Sequence, residues 1–290
     1  MKLNIAFIGT GVMGRGMASQ LLSQGHQVSI YTRTKTKAAS LIEKGAEWKE
    51  TIKACVKDVD AVITMVGYPD DVDDVYRGKQ GLFRYAPKGS LLIDMTTSSP
   101  TLAKALYKEA AELKFRLLDA PVSGGDIGAK NGTLSIMVGG QAADVQAAMP
   151  ILECMGEKII HQGVAGAGQT TKMANQIAIA SNMMGVVEAL RFAEASGLDT
   201  SNVLKSIETG AAGSWSLSNL GPRMLKGDTA PGFYVEHFLK DLRIALEEAK
   251  KLDLPTPGLE QATSLYEGML ENGMGQLGTQ ALYAYYQNLS

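Results

Sequence analysis

The 290 residues include only two cysteines, Cys55 and Cys154, neither in a CxxC pair nor beside a second ligand type. That scarcity excludes a disulfide-stapled scaffold and fits reduced thiols in a cytosolic protein. The three histidines, His26, His161 and His237, lack metal-ligand spacing, so no metal is expected. Long apolar runs are missing too: nothing approaches the ~20 residues that span a bilayer, and the opening apolar stretch, residues 3–8, is too short for a signal-peptide core. A cytoplasmic location without membrane partners is the expectation. Nor is there an excess of one charge. With 28 Lys and Arg against 30 Asp and Glu, the formal net charge is −2, which gives no support for a nucleic-acid partner. What is present is 45% hydrophobic and 20% charged residues, the composition of a globular chain long enough for one or two real cores.

Hydrophobic patterning divides the chain. In the first half, apolar runs at residues 3–8, 28–31, 61–66, 91–94, 117–120 and 134–138 read as strands, and 14–24, 36–44 and 101–113 read as helices. Strand–helix alternation of this kind predicts a parallel, doubly wound α/β sheet with helices on both faces. From about Ala167 the pattern is helical throughout. Residues 169–196 are apolar nearly all round, which predicts a buried helix. Residues 236–252 form an amphipathic helix stopping before Pro255 and Pro257, and 261–270 and 278–289 complete the set. The expected organisation is a dinucleotide-binding domain over residues 1–163 and an all-helical domain over 164–290.

The first strand runs directly into Gly9-Thr10-Gly11-Val12-Met13-Gly14. A GxGxxG between a strand and a helix has the context that dinucleotide binding requires. The first glycine allows the tight turn, the second lets backbone approach the pyrophosphate, and the third packs helix on strand. The helix N-terminus then offers free N–H groups and partial positive charge to the phosphates. The second strand continues into Thr32-Arg33-Thr34, with Lys37 beyond and no Asp or Glu before Glu43. A carboxylate for the ribose hydroxyl is absent and cations suited to a 2′-phosphate are present, which favours NADP while leaving NAD open.

Between Lys158 and Glu188 the only charged residue is Lys172, on the helix expected to be buried. Burying an ammonium is costly and usually lowers its pKa, which suits a general acid/base near neutral pH. Asn175 is one turn on and shares its face. Gly163, Gly166 and Gly168 precede this helix and read as a mobile junction. The strand end Asp119-Ala120-Pro121-Val122-Ser123-Gly124-Gly125 offers a hydroxyl and glycine N–H groups to a carboxylate. Taken alone, Lys240-Asp241 reads as a surface charge pair, and Trp215 and Phe233 read equally as pocket or core aromatics.

Together these motifs, with Asp94-Met95-Thr96-Thr97, Gly132-Thr133-Leu134 and the run from Gly166 to Gln176, resemble the β-hydroxyacid dehydrogenase family over nearly the whole chain. Its members act on 3-hydroxyisobutyrate, whose dehydrogenases this sequence resembles most, and on tartronate semialdehyde, glyoxylate and succinic semialdehyde. The resemblance implies a Rossmann domain joined by a long helix to a helical domain, assembled as a homodimer or homotetramer. It implies Lys172 as proton-transfer residue with Asn175 beside it, and Ser123, Gly124 and Gly125 as the carboxylate loop. Thr97, Met65 and Val66 are implied as nicotinamide contacts, and Lys240 as the lysine where cofactor meets substrate. The turn Val66-Gly67-Tyr68-Pro69 departs from the family's common leucine-proline form. Related imine reductases typically lack the lysine, and 6-phosphogluconate-type enzymes carry a larger helical domain. A catalytically inactive NADP-binding scaffold on the same fold is the alternative of a different class.

Overall fold

The computed structural model describes residues 2–287 and 289. Its contacts divide the chain into two compact units, Met1–Lys172 and Met173–Ser290. In the first, the described residues form β1 (Asn4–Ile8), β2 (Gln27–Tyr31), β3 (Glu47–Trp48), β4 (Ala61–Thr64), β5 (Leu91–Asp94), β6 (Arg116–Asp119), β7 (Val122–Ser123), β8 (Leu134–Gly139) and β9 (Gly156–Gly163). The sheet order is β3-β2-β1-β4-β5-β6-β8-β7, with β9 against β8. The winding reverses at β1, which pairs with β2 on one side and β4 on the other. The fold is the expected Rossmann-type sheet with helices on both faces.

Three strands carry no apolar alternation and were not legible. β3 and β7 have two residues each, and β9 (Gly-Glu-Lys-Ile-Ile-His-Gln-Gly) is exposed at half of its residues and buried only at the first. The sheet is also not wholly parallel: β8 runs antiparallel to β6 and β7. Residues 124–133, which connect β7 to β8, are fewer than the dozen or so a parallel crossover needs. Gly124 and Gly125, both at positive φ (131° and 64°), fold the chain straight into the short helix Gly125–Asn131. β4 and β5, by contrast, are buried at every residue. Both faces are covered, so they read as unbroken apolar runs. Ile5, Phe7, Ile63 and Ile93 enter the core on one face, and Ala6, Ile8, Val62 and Leu92 the core on the other.

The second unit is helical. The long helix Ala167–Ala195 begins in the first unit and continues through it, followed by Thr200–Ile207, Val235–Lys251, Pro257–Glu271 and Leu282–Gln287. Its core stacks Phe238 edge-on to Tyr266, with ring centroids 4.9 Å apart, and includes Met183, Val187 and Leu190. The expectation that the long helix is buried on every side is corrected. Ala174, Ala178, Asn182, Gly185, Glu188 and Phe192 line an exposed stripe, with Phe192 74% accessible. Small apolar residues raise a helix's hydrophobicity without requiring burial, which is why the pattern misled. The helix expected over 278–289 splits into a 3₁₀ turn, Thr279–Ala281, and the helix Leu282–Gln287, and residue 288 lies outside the described residues. Likewise the helix expected over 36–44 begins as a 3₁₀ turn, Lys35–Ala38, and continues as Ala39–Glu43.

Candidate active site

The sheet register aligns one row of residues along the carboxyl edge of the first unit. Tyr31, Ile8, Thr64, Asp94, Asp119, Gly139 and Gly163 stand side by side on adjacent strands. Just beyond this row come the glycine turn after β1, Met65 and Val66 after β4, Thr97 after β5 and the Ser123 loop after β6. An α/β sheet collects ligands at this edge, where the winding reverses.

Gly9 sits where β1 and β4 diverge. Its φ is 99°, and a Cβ there would lie 2.1 Å from the Met65 carbonyl oxygen. Gly11 differs: it is exposed, and a Cβ would meet nothing within 4 Å. It is also the N-cap of the helix Val12–Ser23, with no side-chain cap and no acidic residue in the first turn. The first turn of that helix thus carries no carboxylate of its own, and Gly14 is buried. Thr10 is 2% exposed, and its hydroxyl has no hydrogen-bond partner. An open backbone cradle, an uncapped helix end and an orphaned hydroxyl in one turn fit a dinucleotide pyrophosphate. Val66 N–H donates to Thr96 Oγ1 at 3.0 Å, which ties the turn after β4 to the turn after β5.

Past β2, Thr32 is half-buried, and Arg33, Thr34 and Lys37 are exposed. The stretch is free of acids in sequence but not in space. Arg33 Nη1 lies 3.1 Å from Asp71 Oδ1, on the helix Pro69–Arg77, with the Arg33 side chain 81% accessible. Sequence gave no sign of this partner, 38 positions away. An exposed pair of this kind is worth ~0–1 kcal/mol, so a phosphate can take the guanidinium over.

At the end of β5, Asp94 is buried. Its carboxylate accepts hydrogen bonds from Thr64 Oγ1 at 2.8 Å and Thr96 N at 3.2 Å. Burial pushes its pKa up to about 6, against those hydrogen bonds and helped by the nearby Asp119. The native state thus keeps a proton that the unfolded chain gives up near pH 4. The Asp94 contribution to stability is expected to fall by on the order of 3 kcal/mol as pH rises from about 4 to about 6 and to stay level above. Asp94→Asn, whose amide oxygen can still accept both bonds, is expected to flatten that slope. Denaturant titrations of both proteins across pH 4–7 measure it, and parallel curves would refute the assignment.

Ser123 is half-buried in β7, opposite Ser135, and Gly124 and Gly125 open the next helix. Lys172 is 6% exposed, in the second turn of the long helix. Two of the three glycines before it are packed, and Gly163 is half-buried. Gly166 and Gly168 are buried, and the Gly166 N–H donates to Asp119 Oδ1 at 2.7 Å.

The remaining two predicted residues belong to the second unit, and a polar chain joins them there. Asn175 Nδ2 donates to Gln176 Oε1 at 2.8 Å, and Gln176 Nε2 donates to Asp241 Oδ2 at 2.6 Å. Lys240 Nζ lies 3.1 Å from Asp241 Oδ1. Asp241 is 1% exposed, so Lys240-Asp241 is no surface pair. Sequence reasoning missed Gln176 and Asp241 as linkers. The available signal was polar residues on helix faces otherwise apolar. Phe233 packs edge-on to Phe238 with centroids 5.7 Å apart, as a core aromatic, whereas Trp215 is 66% exposed.

Known proteins match both halves. Residues 4–163 match the model of the NAD binding domain of 6-phosphogluconate dehydrogenase, and residues 166–286 that of the NAD-binding domain of NADP-dependent 3-hydroxyisobutyrate dehydrogenase. The probable 3-hydroxyisobutyrate dehydrogenase-like 1, mitochondrial, of Arabidopsis thaliana is 47% identical over 96% of this chain and 83% of its own. This chain belongs to the β-hydroxyacid dehydrogenase family. The 2-hydroxy-3-oxopropionate reductase of Escherichia coli is 39% identical, over 97% of this chain and 96% of its own. The structure of Mycobacterium tuberculosis 3-hydroxyisobutyrate dehydrogenase with L-serine superposes with a TM-score of 0.89 at 30% identity, covering 98% of this chain and 99% of that one. Like the rest of the family, the chain is an NAD(P)-dependent β-hydroxyacid oxidoreductase using a nicotinamide cofactor.

Proposed function

We propose that this β-hydroxyacid dehydrogenase interconverts 3-hydroxyisobutyrate, or a similar short β-hydroxy acid, with its semialdehyde. Residues 1–163 bind the dinucleotide, and 164–290 supply substrate contacts and self-association. The observation that carries the reading is a lysine 6% exposed on a helix that starts against the carboxyl edge of the nucleotide sheet.

The nicotinamide, when bound, supplies the hydride acceptor or donor. Gly9, Thr10, Gly11, Val12, Met13 and Gly14 hold its pyrophosphate, and Met65, Val66 and Thr97 border the reactive ring. Ser123 Oγ and the N–H groups of Gly124 and Gly125 hold the substrate carboxylate and so orient the reacting carbon. During oxidation Lys172 Nζ takes the proton of the substrate hydroxyl, and during reduction it returns one to the alkoxide oxygen. Asn175 assists at the same oxygen, and Lys240 sits where cofactor and substrate meet. Burial of Lys172 keeps bulk water from competing for that proton.

The cofactor is NADP in preference to NAD, with Thr32, Arg33, Thr34 and Lys37 around the 2′-phosphate. The exposed stripe from Ala174 to Phe192 supports assembly as a homodimer or homotetramer. No described helix is long and apolar enough to cross a membrane, and the proposed location is cytoplasmic.

Absorbance at the reduced-nicotinamide band tests the reading, using 3-hydroxyisobutyrate, 3-hydroxypropionate, glycerate and γ-hydroxybutyrate with each cofactor. Turnover is expected with at least one, faster with NADP. Arg33→Ala is expected to weaken NADP about tenfold and NAD little, in line with losing one charge-assisted hydrogen bond of ~1.5 kcal/mol. Equal effects on both cofactors would remove the phosphate assignment. Intact cofactor binding without turnover of these acids or their semialdehydes would identify a binding scaffold.

A further inference from the structure

We propose that Gln169 and Asp119 are positioning residues for the transfer chemistry, clamping the backbone around Thr97 to the turn that precedes Lys172. The inference rests on the assignment of Lys172 to proton transfer.

The clamp is built from two fully used side chains. Gln169 is 0% exposed. Its Nε2 donates to the Thr96 carbonyl at 2.7 Å, and its Oε1 accepts from Ser98 N–H at 2.9 Å. The two bonds grip the peptide groups on either side of Thr97. Gln169 and Lys172 are three residues apart, on one helix face with about 4.5 Å of rise between them. Asp119 holds the same turn from below. Its Oδ1 accepts from Gly166 N at 2.7 Å and its Oδ2 from Gln169 N at 2.8 Å. These are N–H groups that a helix start leaves without internal partners, and Asp119 is only 5% exposed.

Two glycines permit the close approach. A Cβ on Gly168 would lie 2.4 Å from the Met137 carbonyl and 2.6 Å from that of Asp119. A Cβ on Gly139 would lie 2.5 Å from Asp119 Oδ1 and 2.8 Å from Gly168 N. The helix start is thus seated on β6 and β8 with no slack, and Gln169 extends the seat to the turn after β5. Hydride and proton transfer must happen on one substrate in register, and a misplacement of about 1 Å can cost ~100-fold in rate. A clamp spanning Thr96, Ser98 and the lysine helix addresses that requirement.

Three variants test it: Gln169→Leu, Gln169→Glu and Asp119→Asn, with 3-hydroxyisobutyrate deuterated at the carbinol carbon as probe and Lys172→Ala in parallel. Gln169→Leu is expected to lower kcat by ~10–100-fold, leave cofactor affinity nearly unchanged and enlarge the deuterium isotope effect as hydride transfer becomes rate-limiting. In Gln169→Glu the protonated carboxyl can still donate to Thr96 and accept from Ser98, whereas the ionised one keeps the Ser98 bond but has no proton to donate to the Thr96 carbonyl. The charged groups around it are the Asp119 and Asp94 carboxylates and Lys172. Its turnover should therefore be near normal at low pH and decline as pH rises, in a limb the parent enzyme lacks. Amide exchange on the full chain reads the clamp without turnover: in Gln169→Leu, 96–98 and 166–172 should lose protection together, and Asp119→Asn, whose single amide oxygen can keep only one of the two bonds, should release either Gly166 or Gln169. Loss of kcat with an unchanged isotope effect and pH profile would mean only a smaller folded fraction and would overturn the proposal. So would exchange confined to one of the two segments. If Lys172→Ala is inactive while the Gln169 variants behave as the parent, the clamp alone fails. If Lys172→Ala turns over normally, the underlying reading fails.

Discussion

Lys172→Ala will bind cofactor as the parent does and lose the chemical step by ~10²–10⁴, the usual share of a positioned acid/base. The lysine is 6% exposed and is the only charged residue between Lys158 and Glu188, so no neighbour on its own helix can replace it. Alanine is the best helix former, and Asp119 still caps the helix start, so the backbone should hold its course. The glycine turn, Gly9 to Gly14, follows β1 and opens its helix, whereas Lys172 lies on the long helix. Lys172→Arg should fail as well, because a guanidinium keeps its proton under all working conditions. Cofactor fluorescence titration set against initial rates separates the two effects. Near-normal turnover in Lys172→Ala would refute its role.

Gly9→Ala and Gly11→Ala will part company although only Thr10 separates them. At Gly9 a methyl faces two obstacles. The backbone is at φ 99°, where an L-residue costs about 1–3 kcal/mol, and the Met65 carbonyl stands 2.1 Å from the new carbon. Forcing room there costs about 1–3 kcal/mol more. The thermal midpoint should drop by roughly 5–15 °C, and cofactor binding should go with it, since β1 and β4 splay at the nucleotide edge. At Gly11 the methyl meets nothing within 4 Å and φ is −66°, open to any residue. Stability should stay within about a degree while cofactor affinity falls, because the methyl would occupy the space proposed for the pyrophosphate. Scanning calorimetry with and without cofactor distinguishes the pair. A Gly11→Ala protein with unaltered cofactor affinity would show that the open space beside Gly11 is not where the phosphates lie.

The strand–glycine–helix opening, the apolar central strands and the change to helices near Ala167 were legible because each is local: period, turn chemistry and burial act within a few residues. The buried lysine was legible for the same reason, as one charge in an apolar run. Sequence alone could not pair Arg33 with Asp71, join Asn175 to Lys240 through Gln176 and Asp241, or set Gln169 across Thr97. Those contacts link positions 38 to 73 residues apart, and only strand order and helix packing bring such positions together. It also misjudged the long helix, whose exposed stripe depends on which face the rest of its unit covers. The residues by themselves determined what kinds of element form and which chemical groups they carry. The tertiary structure decided which groups meet, because sheet register, not sequence distance, sets which strand ends stand side by side.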